Sequence, residues 1–380
     1  MNRMKRNFTP ALLLCVTLAI LAPCAGGSPA RERAQTLRRG VNLSHWYSQS
    51  LTGGYSENHL STWFTAEDIA LIVAMGFDHV RLSLNDQVLF DEKSPGRLKE
   101  APLAKFDQRL DALLAAGLKV IVDLHPDEDY KRRLHEPAAE AALLANWRAL
   151  AGHLAPRDPA RVFPELLNEP GKTWETDAWA AVQGRVLAAI REAAPPHTVI
   201  VAPGKWTAAD DLLKLTPYDD NNLIYTFHWY EPYLFTHQGS EWGWDVAGRI
   251  SGLGWPTEPA DAETVIRAAT HNTETAGHLR RRITGGQHRA AWMSAMLDQI
   301  ADWQKRHGGV PVYVGEFGVY AKDAPAEARY RWHEESRKLF EARDWGWAVW
   351  DYRGGFHVAI PRNGKTVPDE RMQKALGLTR

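Results

Sequence analysis

From Arg39 onward two hydrophobic periodicities alternate along the chain, and that alternation limits the fold more tightly than any single motif. Short β-branched or apolar runs predict strands: "RGVNLSHW", "HVRLSL", "KVIVDLH", "RVFPELLNE", "HTVIVAPG", "LIYTFHWY", "VPVYVGEFG" and "GWAVWDYR". Between them, "TAEDIALIVAMG", "FDQRLDALLAAG", "AAEAALLANWRALAGHL", "TDAWAAVQGRVLAAIREA", "AWMSAMLDQIADWQKRHGG" and "EARYRWHEESRKLFEARD" carry apolar residues at helical spacing. Several end at Gly, and Thr65 followed by Asp68 predicts an N-cap with an acidic first turn. Strands separated by helices need crossover connections and so form a parallel sheet. Eight such units predict a single α/β domain, a closed (β/α)8 TIM barrel. The rival is a doubly wound open sheet, which advertises a glycine-rich phosphate turn after an early strand, and none is present.

One connection is out of proportion. From Glu231 to about Gly286 the chain is rich in Gly, Trp and Thr, and the expectation is a long loop insertion after the sixth strand. It leaves from the C-terminal end of a strand, where barrels build their sites. Phe235, Trp242, Trp244 and Trp255 lie within it. Their composition suits a cover or a cleft wall rather than a separate core.

The strand ends themselves are polar or aromatic: Arg81, His125, Asn168, Glu169, His228, Tyr230, Glu316 and Trp350. One such residue is a loop-edge group. Eight converging on one rim point to a site. Glu169 and Glu316 end the fourth and seventh strands, which face each other across an eight-stranded mouth. Two carboxylates across a pocket are the equipment of retaining glycoside hydrolysis, one as nucleophile and the other as acid and then base. The acid must hold its proton, through burial or a neighbouring negative charge. The nucleophile must stay ionised, so a nearby cation is expected, and Arg81 is the candidate. His228 and Tyr230 are placed to hydrogen-bond one of the carboxyls, Asn168 to hold a sugar hydroxyl, and Trp350 to floor a sugar ring.

Composition agrees with a carbohydrate ligand. The 380 residues include 16 Trp, more than Tyr or Phe, and indoles are flat platforms for stacking. Trp46 and Trp206 are further candidate platforms, with Trp242 and Trp244 in the insertion. A formal net charge of −1, with both signs intermixed, excludes the concentrated positive field that nucleic acid or an anionic membrane requires. Residues 1–30 read as an export signal: Arg3, Lys5 and Arg6 precede "ALLLCVTLAILAPCAGG", too short for a comfortable membrane span. Both cysteines, Cys15 and Cys24, lie in it, and Pro23 departs from the small residue that a lipoprotein box places before its cysteine. The expectation is a periplasmic or secreted monomer, residues 31–380 forming the catalytic domain, with no stable membrane insertion.

The set "RGVNLSHW", "DHVRLSL", "DLH", "LLNEP", "TFHWYEP", "YVGEFG" and "AVWDYRGGF" resembles glycoside hydrolase family 5, the cellulase-type retaining enzymes, over nearly the whole chain after the signal. The resemblance implies Glu169 as acid/base and Glu316 as nucleophile. Arg81, His125, Asn168, His228, Tyr230 and Trp350 match the family's other active-site positions. One departure stands out: the family often has proline two residues after the arginine, where this chain has Ser83.

Rival sites are weaker. The acidic run "HPDEDY" beside His125, and "HWYE" with His237, lack paired histidines at zinc spacing. "PGKW" lacks the paired glycines and Ser/Thr of a phosphate loop. Trp345 and Trp347 flank a buried strand and read as core. No metal or cofactor is expected. The resemblance favours an endo-β-1,4-glucanase acting on a polysaccharide. A β-1,3-glucanase, a β-mannanase, a transglycosylase and a non-catalytic carbohydrate-binding protein remain alternatives, because fold does not choose among them.

Overall fold

The computed structural model describes residues 28–378. The expected signal at 1–30, with Cys15 and Cys24, lies almost wholly outside them. Eight parallel strands close into a barrel in chain order: β1 (Arg39–Tyr47), β2 (His79–Leu84), β3 (Lys119–Leu124), β4 (Val162–Glu165), β5 (Val199–Val201), β6 (Leu223–Trp229), β7 (Val312–Phe317) and β8 (Gly346–Val349). Pairing of Arg39 with Trp347 and of Val41 with Val349 completes the circle. Every strand predicted from the sequence is found, and the long helices Pro137–Leu154, Thr176–Ala193 and Ala326–Glu341 pack outside. The Asp68 carboxylate accepts from the Thr65 amide at 2.8 Å, as the predicted cap requires. β2 runs regularly through Ser83, which pairs with Asp123, so the missing proline does not disturb it.

Because side chains alternate along a strand, the barrel interior is built in layers. The lowest layer is apolar: Ile121, Phe163, Ile200, Ile224, Tyr313 and Ala348 cluster with Ala30 and Leu37. Ala30 belongs to a short helix, Pro29–Ala34, capped by Ser28. That helix closes the end of the barrel opposite the mouth, so residues 28–30, three residues expected within the signal, are part of the described fold. Two residues further along the same strands, the inward side chains become charged. Ile121 is followed by Asp123 and Phe163 by Glu165, with Arg81 between them and all three at most 1% exposed.

The connection after β6 corrects the expectation of an unstructured loop. It holds the helices Tyr233–Thr236, Asp245–Gly248, Pro259–Ala269 and Thr273–Arg282. Val246, Ile250, Leu253, Trp255, Val265, Ile266 and Leu279 are buried. The helical periodicity of "ADAETVIRAA" was present in the sequence, hidden by the glycine and tryptophan density before it.

Candidate active site

Arg81 is the centre from which the site is built. Fully buried, it extends from β2 and spends every N–H on a neighbour: Nε and Nη2 donate to Glu165 at 2.8 Å each, and Nη1 donates to Asn42 Oδ1 at 2.9 Å. Nη1 also donates to Glu316 Oε1 at 2.7 Å, and Nη2 to Asn168 Oδ1 at 2.9 Å. The expected cation beside Glu316 is in place.

Glu316 owes its position to a bulge. Phe227 pairs with Val314 but His228 pairs with Glu316, so Gly315 is an extra residue in β7. A Cβ at Gly315 would lie 2.7 Å from Thr226 Oγ1 and 3.2 Å from His228 Nε2, so glycine is what admits the histidine. Glu316 also accepts from the Tyr230 hydroxyl at 2.7 Å. Glu169, by contrast, hangs from a backbone at φ +41°, a region L-residues seldom adopt, immediately before Pro170. Such strain concentrates at functional sites. Its Oε1 lies 2.8 Å from His228 Nδ1, which is 3.6 Å from Glu316 Oε2. One carboxylate oxygen of each glutamate and a ring nitrogen of His228 fall within 4.8 Å of one another.

Burial raises the pKa of both glutamates; Lys131, His125 and Arg81 oppose this at Glu169, where Glu128 adds to it, and His228 and Arg81 oppose it at Glu316, where Glu169 adds to it. Donors distinguish the two. Glu316 accepts from a guanidinium and a phenol, which favour its ionised form, whereas among the described residues Glu169 has only His228. His228 is itself lowered to about 4 by burial, so it stands neutral between them. His125 is neutral too. Asn168 turns its oxygen to Arg81 and so its amide nitrogen to His125 Nε2 at 3.1 Å, while His125 Nδ1 donates to Asp123 at 2.8 Å. Trp350 stacks on that ring, centroids 5.6 Å apart and planes 19° from parallel. All eight rim residues expected from the sequence therefore converge.

The aromatic candidates divide. Trp206 and Trp242 are 48% and 49% exposed. Trp206 stands beside the turn after Glu169, where the Gly171 amide donates to the Lys205 carbonyl at 2.7 Å. Trp242 leans edge-on against Tyr320, centroids 4.7 Å apart. Trp46 is a correction: at 1% exposure it packs against Tyr47 and Phe64, and its indole donates to the Leu60 carbonyl at 2.9 Å. β1 turns it outward under the helix Glu57–Thr62, so it offers no platform. Trp244 is half-buried, with the Arg282 guanidinium 5.5 Å over its ring and the His278 edge against it. Trp345 and Trp347 are core, as expected. The "HPDEDY" run caps a helix, Asp127 accepting from the Tyr130 amide at 2.8 Å.

Sequence reasoning missed Asn42, Asp123 and Glu165, which lie inside strands, and also Gln49 and His45. The Gln49 side-chain nitrogen lies 3.1 Å from His125 Nε2. His45 sits with Nδ1 2.6 Å from the Gln49 carbonyl and Nε2 3.2 Å from Asp351. Both neighbours are acceptors, which favours a proton on each ring nitrogen. Burial alone would lower its pKa, but the Asp351 carboxylate overrides this and raises it. Gly354 makes room for the pair: a Cβ there would stand 2.1 Å from Asp351 Oδ2.

Residues 40–355 match the cellulase family, glycosyl hydrolase family 5. The chain belongs to that family. As a family 5 enzyme it hydrolyses O-glycosyl bonds with retention of configuration. Endoglucanase 3 of Fibrobacter succinogenes is 29% identical over 373 residues, covering 92% of this chain, which spans only about half (54%) of that protein. Endoglucanase C of Acetivibrio thermocellus is 27% identical, with 84% of this chain and 92% of the relative covered. Among solved structures, a hyperthermophilic endo-β-1,4-glucanase in complex with substrate has a TM-score of 0.74 at 25% identity, covering 92% of this chain and 99% of that one. An endoglucanase of Thermotoga maritima shares the fold with a TM-score of 0.72 at 24% identity and the same coverage.

Proposed function

We propose that this family 5 hydrolase cleaves internal β-1,4 bonds of a glucan, with Glu316 as nucleophile and Glu169 as acid and then base. The observation that carries the reading is the paired carboxyls, with oxygens inside 4.8 Å and one neutral imidazole between them. Retaining enzymes hold their carboxyls about 5–5.5 Å apart, and inverting ones about 6.5–9.5 Å, to seat a water. Glu316, ionised by Arg81 and Tyr230, attacks the anomeric carbon while Glu169 gives its proton to the departing oxygen. In the second step Glu169 takes a proton from water, which displaces Glu316 and restores both groups.

The Asn168 amide is positioned for a sugar hydroxyl next to the nucleophile. Trp350 floors the ring being cleaved, and Trp206 and Trp242 support neighbouring sugars through their exposed faces. Relatives named endoglucanase support a glucan as substrate. Export and a monomeric state complete the reading, and no helix among the described residues is long and apolar enough to cross a membrane.

The test is hydrolysis of a panel of β-1,4-glucan, β-1,3-glucan and β-mannan, with the first product's anomer read by NMR. Rapid shortening of β-1,4-glucan with a β-configured first product is expected. Preference for another polymer would replace the substrate, chain redistribution without net release of sugar would make the protein a transglycosylase, and inversion would remove the nucleophile.

A further inference from the structure

One acid in the barrel has no part in the chemistry above. Glu165 ends β4 one layer below the mouth, is 1% exposed, and among the described residues its carboxylate bonds to Arg81 alone. Its two oxygens take the Nε and one Nη2 hydrogen. The other Nη2 hydrogen goes to Asn168 and both Nη1 hydrogens to Asn42 and Glu316, which exhausts the five donors of a guanidinium. The group is planar, so gripping its Nε–Nη2 edge fixes the direction of Nη1. No other described residue grips that edge in two-point fashion: Asp123 approaches Nη2 from the side at 3.1 Å.

We infer that Glu165 is a positioning residue of the hydrolytic site, aiming the Nη1 edge of Arg81 at Glu316 and offsetting the charge that Arg81 shows to both catalytic glutamates. The inference rests on the roles proposed for Glu316 and Glu169. A purely structural Glu165 would neutralise a buried arginine and affect stability alone. A positioning Glu165 also shapes the pH dependence of the rate, because its charge lies inside the same low-dielectric layer.

The groups facing Arg81 come from every side of the barrel. They are Asp123 and His125 on the third strand and its end, Glu165 and Glu169 around the fourth, His228 on the sixth, and Tyr313 and Glu316 on the seventh. Lys131 adds a cation from the helix Glu128–Arg133. Three carboxylates lie within 3.1 Å of the one guanidinium. Removing the charge of one leaves Arg81 more positive toward the rest, so the remaining acids ionise more easily.

In Glu165→Gln, therefore, the acid limb of kcat/KM, set by protonation of Glu316, moves to lower pH. The alkaline limb, set by loss of the Glu169 proton, moves the same way. Each is expected to shift by about one pH unit, the effect of one buried charge at an effective dielectric of ~20. The rate at the optimum should fall on the order of 10-fold or more as Arg81 loses its grip. Glu165→Asp keeps the charge but shortens the reach, so kcat should fall with KM and both limbs unmoved.

The experiment is a pH–rate profile of the folded variants on a soluble glucan. A Glu165→Gln enzyme with wild-type rate and limbs would overturn the inference. If that variant does not fold, Glu165→Asp decides it: lowered kcat with fixed limbs supports the inference, and unchanged kcat overturns it. Should Glu316→Gln and Glu169→Gln abolish activity while the Glu165 variants behave as wild type, the function stands and only the positioning role falls.

Discussion

The inner mouth of the barrel and its aromatic rim are built on opposite principles. Inside, Arg81 is fully buried with every donor used, and Glu316, Asn168 and His125 are locked through it. At the rim, Trp206 and Trp242 are about half exposed and meet few neighbours. A buried, satisfied polar network is costly to alter, since removing one member strands the others. An exposed indole is cheap to change. On the function proposed above, the layer that resists substitution holds the reaction, and the layer that tolerates it holds the choice of polymer.

Substitutions can break this division, beginning with the largest effect. Glu316→Gln should lower turnover on polysaccharide by about 10^4-fold or more, measured as reducing ends released. Appreciable residual rate in a folded variant would show that the inner layer does not hold the nucleophile. Glu169→Gln should cost about 10^2–10^4-fold on polysaccharide. It should spare the first step on an aryl glycoside whose leaving group needs no protonation, seen as a burst of phenol. Equal loss on both substrates would move the acid elsewhere.

At the rim, Trp242→Ala should weaken polymer binding by roughly 10-fold, the worth of about 1–1.5 kcal/mol of aromatic contact, with cleavage of a small aryl glycoside unchanged. If both substrates suffer alike, the rim is coupled to the chemistry and the comparison fails. Trp46→Ala supplies the control. It should destabilise the fold by about 3–5 kcal/mol in denaturant melts while leaving the product pattern of the surviving enzyme unaltered.

The fold was legible because it follows from period: each strand run and most helices stand out against polar turns. The rim residues were legible for a related reason, since a charge that ends an apolar run sits where a barrel strand reaches the mouth. Asp123 and Glu165 escaped because "KVIVDLH" and "RVFPELLNE" read as apolar strands with polar ends. The signal was nonetheless there: Asp123 and His125, like His79, Arg81 and Ser83, occupy alternate positions, hence one face of a strand. Trp46 was misread because the regular alternation of faces does not hold at the end of β1. Ser44 reaches Asp351 in the mouth, while Trp46, though on the same parity, lies within the irregular pairing between Leu43 and Tyr47 that turns the strand end. No sequence pattern marks that turn.

The helix Pro29–Ala34 seals the barrel floor, with Ala30 pressed into the lowest layer. Ser28 therefore lies at the pole farthest from Glu169 and Glu316. A tether attached there, natural or engineered, would work like a stem under a cup: it would hold the enzyme with its opening turned outward, toward an incoming chain, without lying across the groove.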